Sequence, residues 1–434
     1  MKRLVLCSYY FPPIGGAGAQ RPTKFARYLP EVGYRATVLT GPGGVTDRWA
    51  PADETLGREL PDDLEVHRVR GPEPVSGTWW SRAERWLPLK SPWERWWQRG
   101  VVAEAESFAE VEAIWTIMAP YTSAEPSLKL SCLLGRPWIA DLGDPWALDE
   151  MMIYPSRVHL ARERARMKRT LSTAAAIVMS TPEATRRVRE FMPDFRGPIV
   201  AVGNGYDAAD FGGPAPLVRN DGKLRIVHTG SLHTQLGLWQ RKNATLRRVI
   251  GGPVAEVDIL TRSHVYLLQA IDRLTSANPS LAERIEFHLA GVLSAADIEY
   301  ARRSPVTRLH GYLDHAESVA LLRSADLLFL PMQNLPPGRR AGLVPGKAYE
   351  YLASGQPILA AVPEGDARDL VAAAGASYVV APDDVEGMKA ALESALDGNL
   401  ADKGRRDEGV VQEFEYRRLV RRVVDVVESV SGSR

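Results

Sequence analysis

The sequence predicts an α/β protein built as two Rossmann-like, doubly wound parallel-sheet domains. Three observations carry that prediction. At 434 residues the chain exceeds one average core and suits two domains of about 200 residues each. Short apolar runs alternate with amphipathic segments throughout, the pattern of strands and crossover helices in parallel sheets. The alternation breaks at Gly203-Asn204-Gly205-Tyr206-Asp207 and Gly212-Gly213-Pro214-Ala215-Pro216 and then restarts, so this turn-rich stretch reads as the link between domains.

Taken in order, the strand candidates of the first half are 3–8, 36–40, 64–69, 113–117, 138–141, 175–180 and 199–202. Those of the second half are 224–229, 257–260, 285–289, 307–309, 327–331, 358–362 and 377–380. The domains accordingly run 1–205 and 206–413. The segment 414–434 is strongly helical, with Leu419, Val423, Val426 and Val427 on one stripe, and can pack back on the first domain or on the second.

Composition narrows the function classes. Hydrophobic content of 45% and charged content of 25% are those of an ordinary globular protein, and a net charge of +1 argues against a nucleic-acid binder working through a global positive field. Cys7 and Cys132 stand far apart with no Cys or His at ligand spacing, which excludes a disulfide scaffold or a zinc site and leaves two free thiols. The apolar run from Leu4 to Tyr10 stops at Pro12-Pro13, short of a signal-peptide core, and no stretch reaches the length of a membrane span. The expectation is a cytoplasmic protein with at most peripheral membrane contact.

Residues 76–100 hold six of the eleven tryptophans (Trp79, Trp80, Trp86, Trp93, Trp96, Trp97) among Arg82, Arg85, Lys90, Arg95 and Arg99. An aromatic and basic mixture suits a membrane surface or a sugar-stacking lid. Ser91-Pro92-Trp93-Glu94, however, is a capping box, and Trp93, Trp97, Val101, Ala105 and Phe108 then share one helical face, which reads as core.

The most informative segment is 342–360. A glycine-containing loop, Gly342-Leu343-Val344-Pro345-Gly346, opens a helix carrying Lys347 and Glu350, and Gly355-Gln356-Pro357 ends it before the apolar run from Ile358. Loop amides and a helix N-terminus face an anion, Lys347 adds a point charge for a phosphate, and Glu350 accepts from the two hydroxyls of a ribose. An ordinary loop–helix–strand unit is the plainer reading. A second glycine cluster, Pro12-Pro13-Ile14-Gly15-Gly16-Ala17-Gly18-Ala19-Gln20, follows the first strand. Val38-Leu39-Thr40-Gly41-Pro42 lacks the carboxylate a dinucleotide site needs at the end of the second strand, so a nicotinamide or flavin cofactor is not expected. What remains is a loop whose backbone can approach a phosphate or a sugar closely, or a tight turn.

With these pieces in order, the chain resembles a group 1 glycosyltransferase, of the large retaining nucleotide-sugar-dependent family with the GT-B fold. The resemblance spans nearly the whole length. It rests on the Pro12–Gly16 loop with the helix ending at Gly33-Tyr34, Asp141-Leu142-Gly143-Asp144-Pro145-Trp146, Asn204-Gly205-Tyr206-Asp207 with Asp210-Phe211, and 342–360.

It implies two domains facing across a cleft, the acceptor bound by 1–205 and the donor by 206–413. Glu350 then corresponds to the ribose-binding glutamate, while Gly342 stands where the family has a glutamate, leaving the amides of Ala341, Gly342, Leu343 and Val344 to meet the sugar or the β-phosphate. After the first strand of the second domain, His228-Thr229-Gly230-Ser231 carries serine where the family has the arginine that neutralises the diphosphate. Arg241 or Lys242 is left to supply that charge together with Lys347, and both also read as solvated helix residues. Gly143 stands where many relatives carry arginine.

Gly230, Ser231, His310, Gly311, Gly15 and Gly16 complete the implied donor site, with His310 and Gly311 in the base-binding loop. Gly18, Gln20, Asp141 and Asp144 form the implied acceptor side. His310 reads equally as a core or surface histidine, and 141–145 as a helix N-cap. The implied donor is a nucleoside diphosphate sugar, the acceptor a small or lipid-linked molecule, with no obligatory metal or cofactor. Two other readings are a nucleotide-sugar epimerase or non-standard coupling enzyme on the same scaffold, and a non-catalytic nucleotide-sugar-binding protein. Nothing in the sequence fixes an oligomeric state.

Overall fold

The computed structural model describes residues 1–44, 51–71, 73–74, 90–108, 110–213, 219, 221–249, 256–399 and 406–432. Trp79, Trp80, Trp86, Arg82, Arg85 and the Pro214-Ala215-Pro216 turn lie outside them. The chain divides into two units, Met1–Asn204 with Tyr416–Arg434, and Gly205–Glu415.

In the first unit the apolar runs form β1 (Lys2–Ser8), β2 (Tyr34–Thr40), β3 (Glu65–Arg68), β4 (Ala113–Ile117), β5 (Trp138–Gly143), β6 (Ala176–Met179) and β7 (Ile199–Ala201). All pair in parallel, in the order β3-β2-β1-β4-β5-β6-β7. Successive side chains enter opposite faces, so one sheet feeds two cores. Val5, Cys7, Leu39, Ile114 and Ala140 pack on one side, and Leu4, Leu6, Val38, Trp115 and Ile139 on the other. Strands buried on both faces read as continuous apolar runs, which is why they were visible in the sequence.

The second core is closed by the helix Tyr416–Ser431, whose Leu419, Val420, Val423 and Val427 join it. The first core takes in the helix Pro92–Ala103, where Ser91 and Glu94 make the capping box in both directions and Trp97 and Val101 are fully buried. The Trp97 indole N–H donates to Ser123 Oγ at 3.1 Å, which lets a polar edge be buried without loss.

The second unit repeats the plan with β8 (Leu224–Thr229), β9 (Ile285–Ala290), β10 (Thr307–Gly311), β11 (Leu327–Pro331), β12 (Ile358–Ala361) and β13 (Ser377–Val380), ordered β10-β9-β8-β11-β12-β13. These strands are also all parallel. The strand expected at 257–260 does not form. Asp258 caps a single turn, Ile259–Thr261, by accepting from Leu260 N, and its backbone makes one antiparallel bridge to Asn334. The Gln240 side chain takes two of the groups a ladder would need, donating to Val257 O at 2.6 Å and accepting from Ile259 N at 3.1 Å. Ile259 and Leu260 are nevertheless buried, so the apolar signal was real while the strand was not. No helix among the described residues is long and apolar enough to cross a membrane.

In both units the strand order reverses beside the first strand, between β1 and β4 and between β8 and β11. Ligands of doubly wound sheets bind at the carboxyl ends of the strands at such a reversal. The loops there are 9–16 and 118–123 in the first unit, and 230–233 and 332–345 in the second.

Candidate active site

The second unit's reversal point is built around two glycines. β8 ends in His228-Thr229 and turns at Gly230, whose φ of 97° is left-handed and whose N–H donates to Ala290 O at 2.7 Å. A Cβ on Gly230 would lie 3.0 Å from Lys347 Nζ, and one on Gly291 (φ 140°) 2.6 Å from Gly230 O. Glycine is therefore required where backbone, backbone and lysine converge.

Lys347 arrives on the helix Gly346–Ser354, whose N-cap is Pro345 with no side-chain cap on the first-turn amides. Such an uncapped terminus suits an anion. Lys347 Nζ lies 3.2 Å from His228 Nε2 and 3.4 Å from Ser231 O. Burial first, and then the Arg262 cation, push its ammonium down from the ordinary 10.5 to about 7, with Glu350 partly opposing. Among the described residues Lys347 has no carboxylate partner within ion-pair distance, so an incoming anion would be its first ion-pair partner.

Beneath it, His228 is fully buried, and its Nδ1 lies 2.9 Å from Phe329 O. Burial, followed by the Lys347 charge, holds the imidazole pKa well below its ordinary value. The Tyr351 hydroxyl accepts from Thr229 N at 3.0 Å, tying the same helix to the end of β8.

Glu350, one turn further along, lies 4.0 Å from His315 Nδ1, and His315 Nε2 lies 2.9 Å from Asp210. Gly342, Leu343 and Val344 form the loop between β11 and this helix, with the Val344 side chain in the core. The Ala341 amide is not available to a sugar, because it donates to Glu364 O at 2.7 Å.

Three sequence assignments change in this unit. Arg241 is on the exposed side of its helix, with the guanidinium held by Asp258 at 2.6 Å and by the Tyr266 hydroxyl at 2.6 Å, so its charge is already matched. Lys242 is exposed on the same helix, Thr234–Val249. The cation that shares the electrostatic neighbourhood of Lys347 and His228 is Arg262, just past the Ile259–Thr261 turn. Sequence reading missed it; the signal available was its place at the end of an apolar run, where a strand would deliver a site residue. His310 turns its ring onto the buried His288, with Nε2 2.8 Å from His288 Nδ1 and centroids 5.0 Å apart, so its side chain already has a stacking and hydrogen-bonding partner within the protein. Gly311 O accepts from Gly291 N at 2.7 Å, which places its backbone in the same glycine-rich turn system.

In the first unit the Pro12–Gly16 loop is pinned at several points. Gly15 N donates to Pro51 O at 2.7 Å, Asp53 N to Pro13 O at 2.8 Å, and Arg68 to the carbonyls of Gly41 and Pro12. Gly16 (φ 80°) opens the helix Ala17–Tyr28. Gly18 is a packing glycine, since a Cβ there would meet the Tyr10 ring at 2.9 Å, and Gln20 is half-buried on the same helix.

Asp141 is fully buried, accepting from Arg21 Nε and Trp115 Nε1, each at 2.9 Å, while Arg21 also donates to the carbonyls of Val202 and Gly203. It braces the sheet and cannot touch an acceptor. Asp144 stays half-buried in the loop, its carbonyl accepting from Trp146 N at 2.8 Å and from the Tyr121 hydroxyl at 3.3 Å. The expected side-chain N-cap is not made, because Pro145 occupies that position. Trp146 takes a left-handed φ of 48°, held by stacking on Tyr121 and by donation to Glu163 at 2.7 Å.

Comparison with known proteins bears on this arrangement. Residues 257–398 match the family model for glycosyl transferases of group 1. No curated protein matches the chain in sequence. Among solved structures, HepE (Alr3699) of Anabaena in complex with UDP and glucose is 15% identical, with a TM-score of 0.59 over 99% of this chain and 100% of its own. Sucrose-phosphate synthase of Thermosynechococcus elongatus is 12% identical, with a TM-score of 0.67 over 100% of both chains. Trehalose 6-phosphate synthase of Burkholderia multivorans is 14% identical, with a TM-score of 0.56 over 100% of this chain and 98% of its own. At these identities the likeness is one of fold, and it extends over both units. The family match falls on the unit that carries Arg262, Lys347 and Glu350: residues 257–398 of that unit match a group 1 glycosyl transferase domain, and the chain as a whole has the two-domain GT-B fold of these structures.

Proposed function

We propose that the chain transfers a sugar, with retention of configuration, from a nucleoside diphosphate sugar to a small-molecule or lipid-linked acceptor. The observation that carries this reading is Lys347, a cation that among the described residues has no carboxylate within ion-pair distance, at a glycine turn and an uncapped helix N-terminus, where a diphosphate meets charge and backbone donors together. HepE was solved with UDP and with UDP-glucose, which makes a UDP-sugar the first donor to test.

On this reading Lys347 and Arg262 take the diphosphate, the amides of Gly342, Leu343 and Val344 and the Gly230-Ser231 turn approach the sugar and the β-phosphate, and Glu350 accepts from the ribose hydroxyls. The first unit would receive the acceptor at its own reversal point, through Gln20 and the Asp144 loop. In the transfer the bond from the anomeric carbon to the β-phosphate oxygen breaks and a bond to the acceptor atom forms on the same face. The acceptor's proton passes to a phosphate oxygen. Charge builds on the departing diphosphate, and fixed donors in a site shielded from water stabilise it; removing one costs about 3 kcal/mol in the barrier, roughly a hundredfold in rate. A cytoplasmic location with peripheral membrane contact fits such a donor and a lipid-linked acceptor.

The test is a thermal-shift screen against UDP, GDP, ADP, dTDP and CDP with Glu350→Ala as control. A ligand at a hundred times its Kd adds about 2.7 kcal/mol of stability. A shift with one nucleotide that the variant loses supports the reading; no shift with any of them rejects it. Mass analysis of the spent donor then separates transfer, which releases a nucleoside diphosphate, from epimerisation, which leaves the donor mass unchanged.

A further inference from the structure

His228 has no part in the roles given above, yet it is buried in direct contact with Lys347. Its surroundings fix its chemistry. Phe329 O, 2.9 Å from Nδ1, is a carbonyl and can only accept, so Nδ1 carries the ring proton. Nε2 is then a lone pair, and it faces Lys347 Nζ at 3.2 Å. A neutral imidazole of fixed tautomer thus accepts one N–H of the lysine from below, while Ser231 O lies within reach of a second at 3.4 Å. The Tyr351 hydroxyl, held by Thr229 N, closes the side near Nδ1 at 3.5 Å.

We propose that His228 is a positioning residue that anchors Lys347 through Nε2 and aims its remaining N–H at the diphosphate of the nucleotide, so that binding of the nucleotide draws a proton onto the lysine. This rests on the nucleotide-sugar reading above.

The proton linkage has a definite sign. Around Lys347 stand Arg262 from the turn after Ile259–Thr261, His228 from β8, and Glu350 and Tyr351 on its own helix. Burial first and then the Arg262 cation, with Glu350 opposing, lower the ammonium of the unliganded lysine to about 7. His228 stays neutral throughout this range, its own pKa held down by burial and by the lysine. An anion favours the ammonium and raises its pKa. Below about pH 6 the lysine is already charged and contributes no pH dependence. Above about pH 7 binding must recruit the proton, and affinity falls by up to about tenfold per pH unit until the raised pKa is reached. The terminal phosphate of UDP, with a pKa of about 6, is already ionised there and does not confuse the reading.

The experiment is calorimetric titration of the full chain with UDP between about pH 7 and about pH 9, in two buffers of different ionisation enthalpy, with uridine measured by competition. Wild type is expected to take up close to one proton at about pH 8 and to lose UDP affinity as pH rises, while uridine, which lacks phosphates, shows neither effect. His228→Leu should weaken UDP about tenfold without changing uridine. His228→Gln, whose amide can donate to Phe329 O and accept from Lys347, should restore the affinity and keep the fold. Wild-type UDP affinity and an unchanged pH profile in His228→Leu, alongside loss in Lys347→Gln, would remove His228 from the site. A flat pH profile in wild type that binds UDP normally overturns the inference and leaves the proposed function intact; failure of every nucleoside diphosphate to bind overturns both.

Discussion

The two units share a strand order but use their reversal points in opposite ways. In the first, the buried charges are matched within the protein: Asp141 accepts from Arg21 and Trp115, and Arg21 donates to two carbonyls as well, so the arginine's charge is spent before any ligand arrives. In the second, the buried partner of Lys347 is a neutral histidine, and the charge remains to be matched from outside. Topology thus decides where a site can be; the pairing of side chains decides whether that place is a brace or a binding surface.

The largest test of this contrast is Arg21→Ala. It leaves the Asp141 carboxylate buried and unpaired and should cost about 3–5 kcal/mol of stability, read as a fall in the denaturant midpoint, with little effect on nucleotide affinity in whatever fraction stays folded. Lys347→Gln should do the reverse. It removes a desolvated charge and leaves stability equal or higher, while lowering the rate of nucleotide release from a donor sugar by about a hundredfold. If Lys347→Gln unfolds the protein instead, the lysine is a brace like Arg21 and the contrast fails.

Glu350→Ala comes next, with an expected loss of about 1.5–3 kcal/mol in nucleotide binding, the worth of hydrogen bonds to a charged acceptor. A deoxyribose nucleotide should narrow the gap between the variant and wild type. Smallest is Arg241→Ala: the exposed pair with Asp258 is worth at most about 1 kcal/mol, and turnover should be unchanged. A large loss of turnover there would restore Arg241 to the diphosphate and displace Arg262.

What the sequence revealed and what it hid follow from the same physics. Parallel strands covered on both faces announce themselves as apolar runs; thirteen of the fourteen expected strands appear, with only the edge strands β3 and β10 largely uncovered. The failure at 257–260 came from Gln240, a helix side chain distant in sequence that takes the ladder's hydrogen bonds. The loop and helix at 342–354 were legible because glycine, proline and a lone lysine are local signals. Arg262 was not, since its electrostatic influence on Lys347 exists only once the fold brings together two residues far apart in the sequence. Asp141 misled in the other direction: a carboxylate in a motif looks functional, and only the arrival of Arg21 shows it to be a brace.

The helix Tyr416–Ser431 carries a consequence for how the protein is made. It supplies Leu419, Val420, Val423 and Val427 to a core whose other walls are built from residues before 204, so the whole of the second unit is an insertion within the first. On the ribosome the second unit has all its strands in hand before that helix emerges, and it can finish folding while the first still exposes the apolar surface of Phe25, Leu29 and Trp115. The first unit to be synthesised is then the last to be completed, and the interval is when a chaperone or a protease would find it.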